Sequence, residues 1–93
     1  PLEHILVTSR INKNALMYAA CYGHLDVVNR LLEVFSLEHI TAKDDYNINA
    51  IMYAAWHGHL DVVNSLLEVF PLEHVTATSN LNRNARMYAA NYD

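Results

Sequence analysis

The sequence predicts an all-α repeat array, a solenoid of stacked helix pairs with a period of 35 residues. Three observations carry this. Ala15-Leu16-Met17-Tyr18-Ala19-Ala20 returns as Ala50-Ile51-Met52-Tyr53-Ala54-Ala55 and again as Ala85-Arg86-Met87-Tyr88-Ala89-Ala90, each time 35 residues on. Leu2-Glu3-His4 recurs as Leu37-Glu38-His39 and Leu72-Glu73-His74 at the same offset, and the run Gly23 to Asn29 recurs as Gly58 to Asn64. The composition is 53% hydrophobic with two Gly and two Pro, too apolar for a disordered chain and too poor in loop formers for a loop-rich fold. A coiled coil does not fit, because no heptad seam is sustained.

The second copy shows the elements in order. Asn49 is an N-cap residue, since its side-chain oxygen can accept from the free amides of the next turn. Ala50 to about His57 reads as a short helix, and Gly58 supplies a positive-φ stop. A second helix is expected from about Leu60 to Val69 or Phe70. Leu60, Val63, Leu66, Leu67 and Phe70 form its apolar stripe, and Asp61 lies in the first turn, where the helix dipole favours an anion. Pro71 cannot continue a helix interior but can open a new turn, so Leu72-Glu73-His74 reads as a brief 3₁₀ or helical extension. Val75 to Thr78 favours extended structure, and Ser79 to Asn82 favours a turn.

Neither helix is long enough to persist alone, since isolated helices become marginal only at about 12–15 residues. Each must cover its apolar stripe with the helices of adjacent copies. Leu25, Val28, Leu31 and Leu32, with Leu60, Val63, Leu66 and Leu67, are the expected shared core. Burial of one such side chain stabilises by roughly 1.5–3 kcal/mol. The pairs Ala19-Ala20 and Ala54-Ala55 suit the closest approach of helices from neighbouring copies.

The stretches Ala15 to Glu33 and Ala50 to Glu68 resemble ankyrin repeats. The likeness lies in the Ala-Ala pair, two free positions, then Gly-His-Leu-Asp-Val-Val and Leu-Leu-Glu. The third copy matches as far as Asp93. The resemblance implies antiparallel helix pairs joined by protruding hairpin loops, stacked into a curved solenoid that binds other proteins and is not an enzyme. On this reading residues 1–93 form a single domain, with copies at about 1–35, 36–70 and a truncated 71–93. Neither end carries a polar capping face, so the chain reads as a piece of a longer repeat protein whose ends could stack head to tail.

The departures from the family pattern matter. The family unit is about 33 residues. The two extra residues fall near Phe35-Ser36-Leu37-Glu38 and Phe70-Pro71-Leu72-Glu73, where an added turn is expected on the side away from the hairpins. The Thr-Pro-Leu-His opening of the first helix becomes Asn14-Ala15-Leu16-Met17 and Asn49-Ala50-Ile51-Met52, so the His that bonds across repeats is lost. Asn12, Asn47 and Asn82 replace the hairpin Gly, Asn being the next-best residue for a left-handed backbone. Arg86 stands where Leu16 and Ile51 stand in the other copies, and a buried lone Arg is costly, so a looser or solvent-facing site is expected.

Positions that differ between copies are free of the duty to stack. On the hairpins these include Arg10 and Ile11, Asp45 and Tyr46, and Asn80 and Leu81, followed by Lys13, Ile48 and Arg83. At the end of the first helix they are Cys21 and Tyr22, Trp56 and His57, and Asn91 and Tyr92. The resemblance places all of them on one concave, partner-binding face. Trp, Tyr and Arg are the types most enriched at binding hot spots. The competing reading is that several of them pack on the next hairpin.

Other chemistries find little footing. Six basic and ten acidic residues give 6 − 10 = −4, which lacks the basic field of a nucleic-acid binder. No apolar run approaches the ~18–20 residues of a membrane span, and no signal peptide is visible. One Cys cannot form an internal disulfide, which suits a reducing, cytoplasmic setting. His57 and His59 lack the i, i+4 spacing of a helical metal site, and His4, His39 and His74 sit one repeat apart, so no metal is expected. Both glycines act as helix stops, leaving no phosphate loop and no expected cofactor. Cys21 reads as a surface thiol, His24 and His59 as structural turn residues, and Tyr18, Tyr53 and Tyr88 as a packed ladder. The favoured function is a protein-binding module. The alternatives are an architectural spacer and a targeting segment of a larger enzyme or of a bacterial effector delivered into a host cell, the last suggested by an Asn-rich, Gly-poor wording.

Overall fold

The computed structural model describes residues 13–79 together with Asn84, Arg86 and Met87. Expectations that fall on Asn12, Asn82 and Tyr88 lie outside these residues. Six helices are described in full: α1 Ala15–Tyr22, α2 Leu25–Val34, α3 Leu37–Ile40, α4 Ala50–Trp56, α5 Leu60–Leu67 and α6 Leu72–Val75. The second set begins 35 residues after the first, at Ala50 against Ala15, Leu60 against Leu25 and Leu72 against Leu37. Within a copy, α1 packs on α2 and α4 on α5. Between copies, α1 packs on α4 and α2 on α5. The result is two layers, one of first helices and one of second helices.

The caps set the lengths of the first helices. Asn14 Oδ1 accepts from Met17 N–H at 3.0 Å and Asn49 Oδ1 from Met52 N–H at 3.1 Å. Asn84 repeats the arrangement with Met87 at 3.0 Å. Gly23 ends α1 at φ 73°, with its own N–H on Ala20 and the His24 N–H on Ala19. Gly58 does the same after α4, with bonds to Ala55 and Ala54. Both are left-handed closures that satisfy carbonyls otherwise orphaned at a helix end.

The core is one cluster drawn from both copies and includes Leu31 and Leu66. Ala50 to Ala55 of α4 are all buried, which is how so short a helix persists. The four paired alanines are at most 4% exposed.

The second helices correct the expected stripe. Val28 and Leu31 are buried in α2, with Leu25 and Leu32 half-buried against the core. In α5 the buried residues are Val62 and Leu66, whereas Leu60 is 70% and Leu67 47% exposed. Val62 is fully buried, yet its counterpart Val27 is 48% exposed. Leu66 stays buried like its counterpart Leu31, while the covered face of α5 takes in Val62 and gives up Leu60 and Leu67. α2 and α5 pack on each other, so α2 receives cover from the copy after it and α5 from the copy before it.

The added turns exist as α3 and α6, each closed by a threonine. Thr41 Oγ1 donates to the Leu37 carbonyl at 2.9 Å and Thr76 Oγ1 to the Leu72 carbonyl at 3.1 Å. Extended structure was expected from Val75 to Thr78, but Val75 is helical and Thr76 closes the helix at φ −88°, ψ −8°. The two hydrogen bonds of Thr76 to the Leu72 carbonyl, from its amide and its hydroxyl, outweigh its β preference. These helices do not lie away from the hairpins. Asn14 Nδ2 donates to the His39 carbonyl at 3.5 Å and Asn49 Nδ2 to the His74 carbonyl at 3.0 Å. One asparagine thus caps a first helix and tethers the added turn, supplying a long-range hydrogen bond where the family's His is lost.

Candidate functional site

The loop before α4 is built around Asp44. Its N–H donates to the Ile48 carbonyl at 3.0 Å, and its carbonyl accepts from Asn47 N–H at 2.9 Å. Asn47 takes the left-handed conformation, φ 58°, as expected of the residue replacing Gly. Asp44 itself is 4% exposed. Its Oδ1 accepts from the amides of Tyr46 and Ile48 at 2.9 and 3.0 Å, and its Oδ2 accepts from the Tyr53 hydroxyl. A buried carboxylate with three donors fixes the loop to the first helix of its own copy.

Between this loop and the first helices lies a groove of about 570 Å³, lined by Lys13, Cys21, Tyr46, Ile48, Tyr53, Trp56, His57 and Ser79. Lys13 precedes the cap of α1, Cys21 sits in its last turn, and Tyr53 and Trp56 are i, i+3 on α4. Trp56 stacks on Tyr53 with ring centroids 6.3 Å apart and on His57 at 5.3 Å. His57 in turn stacks on His59 at 6.4 Å. The Lys13 ammonium lies 4.3 Å from the Tyr53 ring centroid, 4.6 Å from Tyr18 and 6.0 Å from Tyr22, within cation–π range of all three. Burial holds the His57 imidazole below its ordinary pKa of 6.5, and the neighbouring His59 and Lys13 push the same way.

Six of the residues singled out in the sequence meet in this groove: Lys13, Cys21, Tyr46, Ile48, Trp56 and His57. Tyr22, 64% exposed, stands near it through Lys13. Asp45 is exposed on the turn and does not line the groove. Arg10, Ile11, Asn80, Leu81, Arg83, Asn91 and Tyr92 lie outside the described residues. Two expectations are corrected. Cys21 is 8% exposed and Ile48 5%, so both form groove floor, and Cys21 is not a surface thiol. Cys21 is covered because α1 packs against α4 and because His59 of the next copy reaches its carbonyl. Arg86 is exposed, as expected from the cost of burying it.

Sequence reasoning missed Tyr53 as a groove residue, because its identity in all copies marked it as scaffold. It serves both ends, at 5% exposure. Tyr18 and Tyr53 share the Lys13 ammonium between their rings, and the third tyrosine of the expected packed ladder, Tyr88, lies outside the described residues. Asp44 was also missed. Its signal is an Asp three residues before an Asn that turns left-handed.

Stacked helix pairs with a groove between loops and first helices define a helical repeat scaffold. The family model described as ankyrin repeats (3 copies) matches residues 2–78, and the chain belongs to the ankyrin repeat family. No curated protein matches it in a direct comparison. Ankyrin repeats are generally protein–protein interaction modules and generally non-catalytic.

Proposed function

We propose that the chain binds a partner protein in the concave groove between the Asp44–Ile48 loop and helices α1 and α4. The carrying observation is the convergence of Trp56, Tyr46, His57 and Lys13 on one groove that spans two copies and touches Ser79 of the third. Aromatic side chains presented on rigid helices are strong interface anchors, because little side-chain entropy is lost when they are covered. A spacer that only sets distance has no use for an indole at this place. The test is affinity capture with the wild-type chain beside a Tyr22→Ala/Trp56→Ala double variant. A partner retained by the wild type and lost by the double variant, with both chains equally folded by circular dichroism, supports the reading. Equal retention by both removes it.

A further inference from the structure

The charge of the chain lies on the layer of second helices. These helices and the turns that follow them, residues 25–40 and 60–75, hold six acids, Asp26, Glu33, Glu38, Asp61, Glu68 and Glu73, against one base, Arg30. That gives 1 − 6 = −5 in a chain whose net charge is −4. Arg30 pairs with Glu33 at 2.8 Å, and His74 Nε2 stands 3.6 Å from Glu73. Glu38 and Glu68 are exposed and, among the described residues, enter no ion pair. Large apolar side chains stand out along the same edge, where each second helix gives way to its added turn. Val34 is 44%, Leu37 52%, Val69 38% and Leu72 75% exposed. Stacking does not account for them, since they are exposed in both copies. The segment does change between copies, Arg30 becoming Ser65, Ser36 Pro71 and Ile40 Val75, yet the Val and Leu of this edge are the same in both.

We propose that this edge is a second docking surface and receives a basic amphipathic helix of a partner protein, laid across the two copies. The apolar face of that helix covers Val34, Leu37, Val69 and Leu72, and its Lys or Arg side chains meet Glu38, Glu68 and Glu73 at the rim. The spacing suits a helix. α2 packs on α5, and packed helices lie about 8–10 Å apart. A helix advances about 10.5 Å in seven residues, so apolar side chains seven apart reach equivalent positions in both copies. The charge selects the partner. A second copy of this chain would bring the same acids, and an anionic bilayer would be repelled, whereas a basic helix is drawn in. The edge belongs to the second helices and their added turns, apart from the groove between the loops and the first helices, so it does not depend on the reading of that groove.

The test is titration of a fluorescein-labelled peptide of two Leu-Lys-Lys-Leu-Leu-Lys-Leu heptads with the folded chain, read by fluorescence anisotropy. Saturable binding of one peptide per chain is expected. Leu37→Ser/Leu72→Ser, with the fold shown intact by circular dichroism, should weaken it about ten-fold, because both leucines lose apolar area that the peptide covers. Glu68→Gln/Glu73→Gln should weaken it about five-fold. Asp26→Asn/Asp45→Asn makes the same change of charge outside the edge and should alter it by less than about two-fold, because salt screens distant charges. Trp56→Ala should leave it unchanged. Absence of saturable binding, binding indifferent to the leucine variant, or equal losses in the two charge variants overturns the proposal. So does a counterpart peptide with Glu for Lys that binds as tightly. Sedimentation with phosphatidylcholine–phosphatidylglycerol vesicles that the leucine variant loses would assign the edge to a membrane and overturn it as well.

Discussion

His59 Nε2 donates to the carbonyl oxygen of Cys21 at 3.0 Å, so a turn residue of the second copy closes the first helix of the copy before it. The same ring lies over Gly23, where a Cβ would come within 2.6 Å of His59 Nδ1. Gly23 also has φ +73°, a backbone that side-chain-bearing residues avoid. Two independent requirements for glycine therefore coincide.

Gly23→Ala is expected to destabilise the chain by about 2–3 kcal/mol, ~1–2 from the left-handed backbone and the rest from the clash with His59. In a His59→Ala background the penalty should shrink to the backbone part. Urea unfolding of the four chains of this cycle measures the difference, and equal penalties in both backgrounds would show that the ring gives way freely.

Asp44 and Tyr53 form one buried unit with the loop amides. Tyr53→Phe leaves one carboxylate oxygen without its donor, at a cost of about 1–3 kcal/mol. Asp44→Ala strands the amides of Tyr46 and Ile48 and should cost more. The double variant should fall short of the sum, because either change alone breaks the same bond. Strict additivity in thermal or urea unfolding would mean that the two do not interact.

The covered face of α5 is tested by a pair of leucines. Leu66→Ala should destabilise by about 2–5 kcal/mol, whereas Leu60→Ala should change stability by no more than about 0.5 kcal/mol. Leu66 is fully buried and Leu60 is 70% exposed. Similar effects at both sites would restore the stripe read from the sequence.

Burial, His59 and Lys13 all hold the His57 pKa below 6.5, so the unfolded chain binds the proton first as pH falls. Between the folded and the unfolded pKa the unfolded state carries more protons, and stability rises with pH across that window. The contribution of His57 is complete above about pH 6.5 and is lost as pH drops toward the folded value. An NMR titration of the His57 ring should give a midpoint below 6.5. Lys13→Gln should raise it only in part, because burial is the larger cause. A midpoint at or above 6.5 would contradict the packing described for this ring.

Features governed by a few neighbouring residues were legible in the sequence. Asn49 announces a cap, Gly58 a left-handed stop, and Asn47 a positive-φ turn, since each is decided by local backbone chemistry. The period placed six groove residues together, because copy-to-copy differences mark freedom from stacking. What the sequence hid depends on which neighbour covers which flank. One copy reads alike whether its next turn meets the copy before or the copy after, so Val62 looked outward and Leu60 inward. The burial of Cys21 and Ile48 has the same origin. The double role of Tyr53 was concealed because a residue common to all copies can both stack and face the groove.

Trp56 is the single tryptophan of the chain, so its emission reports the groove without a label. The decisive measurement is that emission during titration with the partner protein retained by the wild-type chain. Occupation of the groove predicts a saturable change in Trp56 intensity or wavelength and reduced quenching by acrylamide, at the same concentration that half-saturates binding by anisotropy. Saturated binding with Trp56 emission and quenching unchanged would place the partner elsewhere on the solenoid and contradict the account.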